Sequence, residues 1–187
     1  MEKMANPGPI GLLGFGMTTI LLNIHNAGFT ALDDHILGMG IFVGGLAQVI
    51  AGILENKRGN IFASTAFTLY GFFWVALVWM VYHTHSASGL ATFLLVWGIF
   101  SVFMFIGTFR LNKALQIIFG TVTLLFFLLT IGNYTIATGS VDTGKAIINF
   151  AGYEGILCGA SAAYLAVAEV LNEVYGKVVM PVGPVKK

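Results

Sequence analysis

The chain has 187 residues, of which 57% are apolar and only 9% charged, and its formal net charge is +1. A soluble domain carries about 25% charged residues, which excludes a soluble enzyme, a disordered segment and a basic nucleic-acid binder. One cysteine, Cys158, permits no internal disulfide, and the four histidines show no metal-ligand spacing, so no metal or cofactor is expected.

In chain order, Asn6-Pro7-Gly8-Pro9 forms a stiff turn into a first span. Proline is tolerated there because its missing N–H would lack an intrahelical partner. Stretches free of Asp, Glu, Lys and Arg then run over residues 9–31, 36–54, 59–82, 86–109, 114–141 and 155–168. A helix needs about 20 predominantly apolar residues to cross roughly 30 Å of hydrocarbon. The second to fifth stretches reach that length directly. The first is firmly apolar only over residues 10–24, before Asn23, His25 and Asn26 make it polar. The sixth is long enough if Glu169 joins it, giving a helix near residues 150–175. Continuous apolar blocks without alternation argue against a β-barrel. The expected architecture is an all-α integral membrane protein with six spans.

The first span lacks a following cleavage site and reads as retained. Connections at residues 33–35, 56–60, 83–88, 110–113 and 138–149 leave no room for an extramembrane domain. The chain therefore reads as one transmembrane domain over residues 1–187. Residues 1–8 form a short leading segment and residues 177–187 a tail. With six spans, Lys3, Lys57, Arg58, Arg110, Lys113, Lys177, Lys186 and Lys187 fall on one side and Lys145 alone on the other. The excess of Lys and Arg in short loops marks the cytoplasmic face. A multi-pass protein of the cell membrane with both termini cytoplasmic is expected.

Twenty-four glycines recur within the spans, among them Gly40 and Gly44, and Gly155 and Gly159. Such stripes let helices approach closely where lipid supplies little hydrophobic drive. The polar residues within spans are candidates for a substrate path or its supporting network: Thr18, Thr19, Asn23 and His25, then Gln48, Thr68, Thr121 and Asn133. A threonine commonly bonds its own helix carbonyl. An amide in hydrocarbon needs a partner, and both a helix–helix bond and a water-lined path remain open for Asn23, Gln48 and Asn133. Glu169, Asn172 and Glu173 lie toward the cytoplasmic end, in a mouth or structural role. Glu154 is read as a carboxylate near the outer start of its helix. Phe15 between Gly14 and Gly16, and Tyr70 beside Gly71, are rings placed where they could narrow a passage.

Several of these segments carry a resemblance. Residues Asn6-Pro7-Gly8-Pro9-Ile10-Gly11-Leu12 and Gly14-Phe15-Gly16-Met17-Thr18-Thr19 closely resemble the N-terminal signature of the acetate uptake transporter family. Asn23-Ile24-His25-Asn26, Gly44-Gly45-Leu46-Ala47-Gln48, Ala66-Phe67-Thr68-Leu69-Tyr70-Gly71, Thr130-Ile131-Gly132-Asn133 and Ala168-Glu169-Val170-Leu171-Asn172-Glu173 extend the likeness across residues 5–182.

The resemblance implies six helices around a pore within each protomer and a ring-shaped homohexamer in membrane lipid. It implies transport of acetate and other small carboxylates, succinate among them, by proton-coupled or channel-like anion passage. It also implies a pore constriction at Phe15, Tyr70 and Val122; Asn6 of the signature is a further candidate for the substrate path or its supporting network. Leucine is the family's usual residue where Val122 stands, alanine where Gly8 stands and leucine where Ile10 stands. The competing expectation is a pH-gated channel for urea, short amides or ammonia, motivated by the outer histidines.

Overall fold

The computed structural model describes residues 5–83 and 85–185. Lys3, Lys186 and Lys187, used above for orientation, lie outside them. Among the described residues, seven α-helices form in chain order: α1 Gly8–Asn26, α2 Asp34–Met39, α3 Gln48–Lys57, α4 Ile61–Tyr82, α5 Ala87–Gly107, α6 Lys113–Ala137 and α7 Val141–Tyr175. A π-helical stretch, Gly40–Ala47, joins α2 to α3 without a break. This makes six membrane-length helices, with Asp34–Lys57 as the second.

Helix starts are written into the short connections. The side chains of Asp33, Asn60, Ser86 and Asn112 accept from the backbone N–H of His35, Ala63, Gly89 and Leu115. These bonds satisfy donors that the first helical turn leaves free. At α1 the cap is displaced by one residue: Asn6 Oδ1 accepts from the Gly8 N–H at 3.1 Å. Gly139 and Gly176, with φ of +97° and +63°, end α6 and α7 in a conformation that side chains disfavour.

Helix α7 begins well before residue 150, the start read from the sequence. Asp142, Gly144 and Lys145 look like loop residues by composition, yet Asp142 lies in the first turn, where negative charge is favoured. Gly144 lets that turn lie against α6, since a Cβ there would come within 2.6 Å of the Gly132 carbonyl oxygen. Thirty-five residues make a rod of about 52 Å, longer than the roughly 30 Å of hydrocarbon.

The π-helical stretch is equally invisible to a hydrophobicity count. Its Gly44 faces Trp74 and Thr18, with a would-be Cβ 2.8 Å from the indole and 2.9 Å from the threonine methyl. The Met39 carbonyl just before the stretch receives the Thr18 hydroxyl at 3.5 Å. Wider winding and absent side chains thus bring α1 and α4 close to the second span.

Around the bundle, α1 packs on α7, α7 on α6, α6 on α5, and α3 on α4, with α1 also against the second span. Between α4 and α5 the gap is bridged largely by side chains. Phe73 stacks on Phe93 at 5.5 Å and Tyr70 meets Phe100 at 5.4 Å. The outside of the bundle is apolar, with Ile61, Phe103 and Leu157 all more than two-thirds exposed. That surface suits lipid or another apolar surface and would be costly in water.

Candidate permeation path

A vestibule of about 490 Å³ opens at the bundle end that carries Asn6, Arg58, Arg110 and Glu169. Its walls come from α1, α3, α4, α6 and α7, and its deep end reaches Phe15, Tyr70 and Val122. The Phe15 and Tyr70 rings lie 6.0 Å apart at 51°. All three side chains are buried, Val122 only 2% exposed. Beyond them, Phe73, Trp74 and Phe126 fill the core, with Phe73 edge-on to Phe126 at 5.1 Å. The cavity is thus a funnel that is open and charged at its mouth and ends on an aromatic and aliphatic collar.

The collar is held from behind. The Ser101 hydroxyl donates to the Trp97 carbonyl at 2.8 Å, so its oxygen accepts the Tyr70 hydroxyl at 2.7 Å. Tyr70 therefore spends its hydrogen on α5 and keeps only acceptor capacity for a permeant. Ser101, fully buried, is the polar residue that positions this ring. Replacing Ser101 by Ala leaves the phenol without its acceptor and should cost about 1–3 kcal/mol. Tyr70→Phe should keep solute flux within about twofold, because the lost hydrogen is not free to bind a permeant. Thermal melting in detergent and flux in liposomes check the two statements.

At the mouth, three helices meet through one asparagine. Asn6 Nδ2 donates to Glu169 Oε2 at 2.8 Å, and Arg58 Nη1 donates to Asn6 Oδ1 at 2.7 Å. Arg58 also donates to Glu55 Oε1 at 3.1 Å. Glu55 is 1% exposed and its second oxygen has no hydrogen-bond partner among the described residues. Arg110 lines the same mouth and forms no ion pair among the described residues. Gln48, 1% exposed, lines the vestibule near Gly14, and its amide oxygen is likewise unpartnered.

Of the residues singled out from the sequence, Phe15, Tyr70, Val122, Asn6, Gln48 and Glu169 come together on this vestibule. The others lie off it. Asn23 and Asn133 donate to the Thr19 and Leu129 carbonyls of their own helices at 2.9 and 2.8 Å. Thr121 bonds the Ile117 and Ile118 carbonyls, and Thr18 reaches the Met39 carbonyl. Thr19 is buried, its hydroxyl without a hydrogen-bond partner among the described residues, and Thr68 packs beside Gly52 of α3. His25 Nδ1 pairs with the Thr30 carbonyl at 2.8 Å. Asn172 secures the tail by accepting from the Val179 and Met180 N–H groups and donating to the Met180 carbonyl. Glu173, next to it in sequence, is exposed.

Sequence reasoning missed Glu55, Arg58, Arg110 and Ser101 as members of this site. The Glu55–Arg58 spacing of three residues, which puts both on one helix face, was the available signal. Ser101 is one of the few hydroxyls inside α5 and could have been flagged on that ground. Arg110 carries no local pattern that points inward.

The chain matches the GPR1/FUN34/yaaH family over residues 1–187. It is 52% identical to the succinate-acetate/proton symporter SatP of Escherichia coli strain K12, over 97% of this chain and 96% of that one. It is 29% identical to acetate permease A of Emericella nidulans, over 97% of this chain and 66% of the relative. Among solved structures, that of the bacterial acetate channel SatP superposes with a TM-score of 0.91 at 52% identity, covering 97% of this chain and all of the other. A six-helix bundle with a one-ended funnel and a match along its whole length has one assignment: the chain belongs to the GPR1/FUN34/yaaH family of membrane proteins.

Proposed function

We propose that the protein conducts acetate and related small carboxylates, succinate among them, across the cell membrane through a pore within each protomer. The observation that carries this reading is the funnel itself, with arginines at its mouth and a dry collar at its end. Arg110 and Arg58 raise the local concentration of anions at the mouth. Gln48 then offers a carboxyl group an amide whose oxygen has no hydrogen-bond partner among the described residues. At Phe15, Tyr70 and Val122 the permeant loses hydration with few compensating donors. Shedding water from a full charge is far costlier than shedding it from a neutral acid. Protonation near the collar lowers that cost, and weak binding there favours release.

The basic end is assigned to the cytoplasm. Lys57, Arg58, Arg110, Lys113 and Lys177 lie there, and Lys145 lies at the other end. Both termini then face the cytoplasm, and the single domain assembles as a homohexameric ring whose contacts cover part of the apolar exterior. Asn6 and Glu169 act at the cytoplasmic mouth. Asn23, Asn133 and the threonines brace the helices that carry the path, Asn172 holds the tail, and Glu173 stands exposed at the cytoplasmic end. The competing reading, a pH-gated pore for urea, short amides or ammonia, draws on the outer histidines. None of these lines the vestibule, and His25, His83 and His85 pair with backbone carbonyls of their own segments.

Radiolabelled acetate uptake into liposomes, with pH and voltage gradients imposed separately, tests the proposal. Protein-dependent acetate flux under at least one gradient is expected. Rapid urea flux with neither acetate flux nor acetate competition would replace it with the competing reading.

A further inference from the structure

Glu154 lies near the middle of α7, and both of its carboxyl oxygens are buried without a hydrogen-bond partner among the described residues. Its height is fixed by a neighbouring contact. Helices α6 and α7 run antiparallel, and Cys158 Sγ sits 4.0 Å from the Ile118 carbonyl oxygen. One turn from that contact, away from the vestibule mouth, lies Val122 on α6 and Glu154 on α7. The carboxyl therefore occupies the α6–α7 seam at the level of the collar.

Its surroundings supply no counter-charge. Helix α6 has no titratable side chain between Lys113 and Tyr134. Helix α1, the other element packed on α7, has only His25, whose Nδ1 is engaged by the Thr30 carbonyl. On α7 itself, Tyr153 turns outward to Phe29, and buried Cys158 is one turn away. An ionised carboxylate here would have neither donor nor cation to replace its water, whereas a carboxylic acid needs no counter-charge. Ionisable groups held inside a membrane at such cost generally serve the transported species or its driving ion.

We propose that Glu154 is a proton-binding site that sets the pH dependence of passage through the collar. With the proton bound, the seam stays dry and α6 holds Val122 against Phe15 and Tyr70. Release of the proton to water leaves a carboxylate that draws water into the seam and shifts the α6 wall carrying Val122. The inference rests on the acetate-path reading of the funnel and adds to it the residue that titrates.

The test is acetate exchange in liposomes with the same pH on both sides, comparing wild type, Glu154→Gln and Glu154→Asp. The ionisation of acetate itself cancels when each variant's rate is divided by the wild-type rate at that pH. For Glu154→Gln, which keeps the shape of the protonated form, the ratio should approach one near about pH 5. It should change by at least about threefold by about pH 8. Glu154→Asp keeps a carboxyl at shorter reach and should shift the midpoint of the wild-type pH profile. It also answers the question if Glu154→Gln does not insert. Ratios that stay constant with pH for the variants that insert, at whatever level, overturn the proposal. Absence of wild-type exchange at every pH instead defeats the acetate-path reading.

Discussion

Phe15→Ala should admit longer acids, raising the butyrate-to-acetate flux ratio by about tenfold or more. The expectation follows from where the ring stands. Phe15 faces Tyr70 at 6.0 Å across the deep end of the vestibule, and Val122 closes the third side. Removing a ring from this collar leaves space that the packed aromatic layer behind it, Phe73 against Phe126 at 5.1 Å, is poorly placed to refill. Val122 gives the graded version of the same experiment. A methylene in an apolar site is worth about 1–3 kcal/mol of discrimination, so Val122→Leu should lower passage of butyrate or succinate more than that of acetate. Val122→Ala should relax it. Valine branches nearer the backbone than leucine, so the wild-type opening need not be the wider one in every direction. Initial fluxes at matched reconstitution density provide the readout. Identical acetate-to-longer-acid ratios across all these variants would place the sieve elsewhere.

The second large effect concerns assembly of the bundle. Helices α1 and α7 touch backbone to backbone: a Cβ on Gly159 would sit 2.6 Å from the Gly16 carbonyl oxygen, and one on Gly16 would sit 2.7 Å from the Gly159 carbonyl oxygen. Side chains can swing away from an added methyl, but a helical carbonyl cannot without moving its helix. Gly159→Ala should therefore force the two helices apart at a cost of about 1–3 kcal/mol and reduce the yield of folded protein. Gly38 is the control, because nothing lies within 4 Å of a Cβ built there. Gly38→Ala should be neutral or stabilising by about 0.5–1 kcal/mol, as alanine favours the helix. Thermal stability in detergent by fluorescence-monitored size exclusion separates the two. Equal stability of Gly159→Ala and Gly38→Ala would mean that the α1–α7 seam is looser than described.

Hydrophobic run lengths carried most of the fold, because a bilayer demands about 20 apolar residues per helical span whatever the packing. Loop-like composition hid the first turns of α7. Asp142 is stabilised there by the helix N-terminus and Gly144 fits by close contact with α6, neither of which a residue count contains. The π-helical stretch depends on a fit among Gly44, Trp74 and Thr18 that spans three helices.

For the site, Phe15, Tyr70 and Val122 were legible through the family likeness. The rings beside glycines would have suggested the first two alone. The mouth was not legible, since Glu55 and Arg58 look like ordinary interfacial charges until Asn6 and Glu169 are brought to them from opposite ends of the chain. Glu154 was read as a helix-start carboxylate because α7 was begun too late. Moving that start to Val141 places the same residue deep in the helix.

The most direct measurement of the central claim, a pore within each protomer entered through this vestibule, is covalent block from inside it. Ala63 lines the vestibule wall and is part-exposed, whereas Cys158, the native thiol, is fully buried. Ala63→Cys, treated with a bulky membrane-impermeant thiol reagent from the side of the basic loops, should lose acetate flux in proportion to modification. Acetate in the medium should slow the reaction, and wild type should be unaffected. Complete modification of Ala63→Cys with undiminished acetate flux would contradict the account.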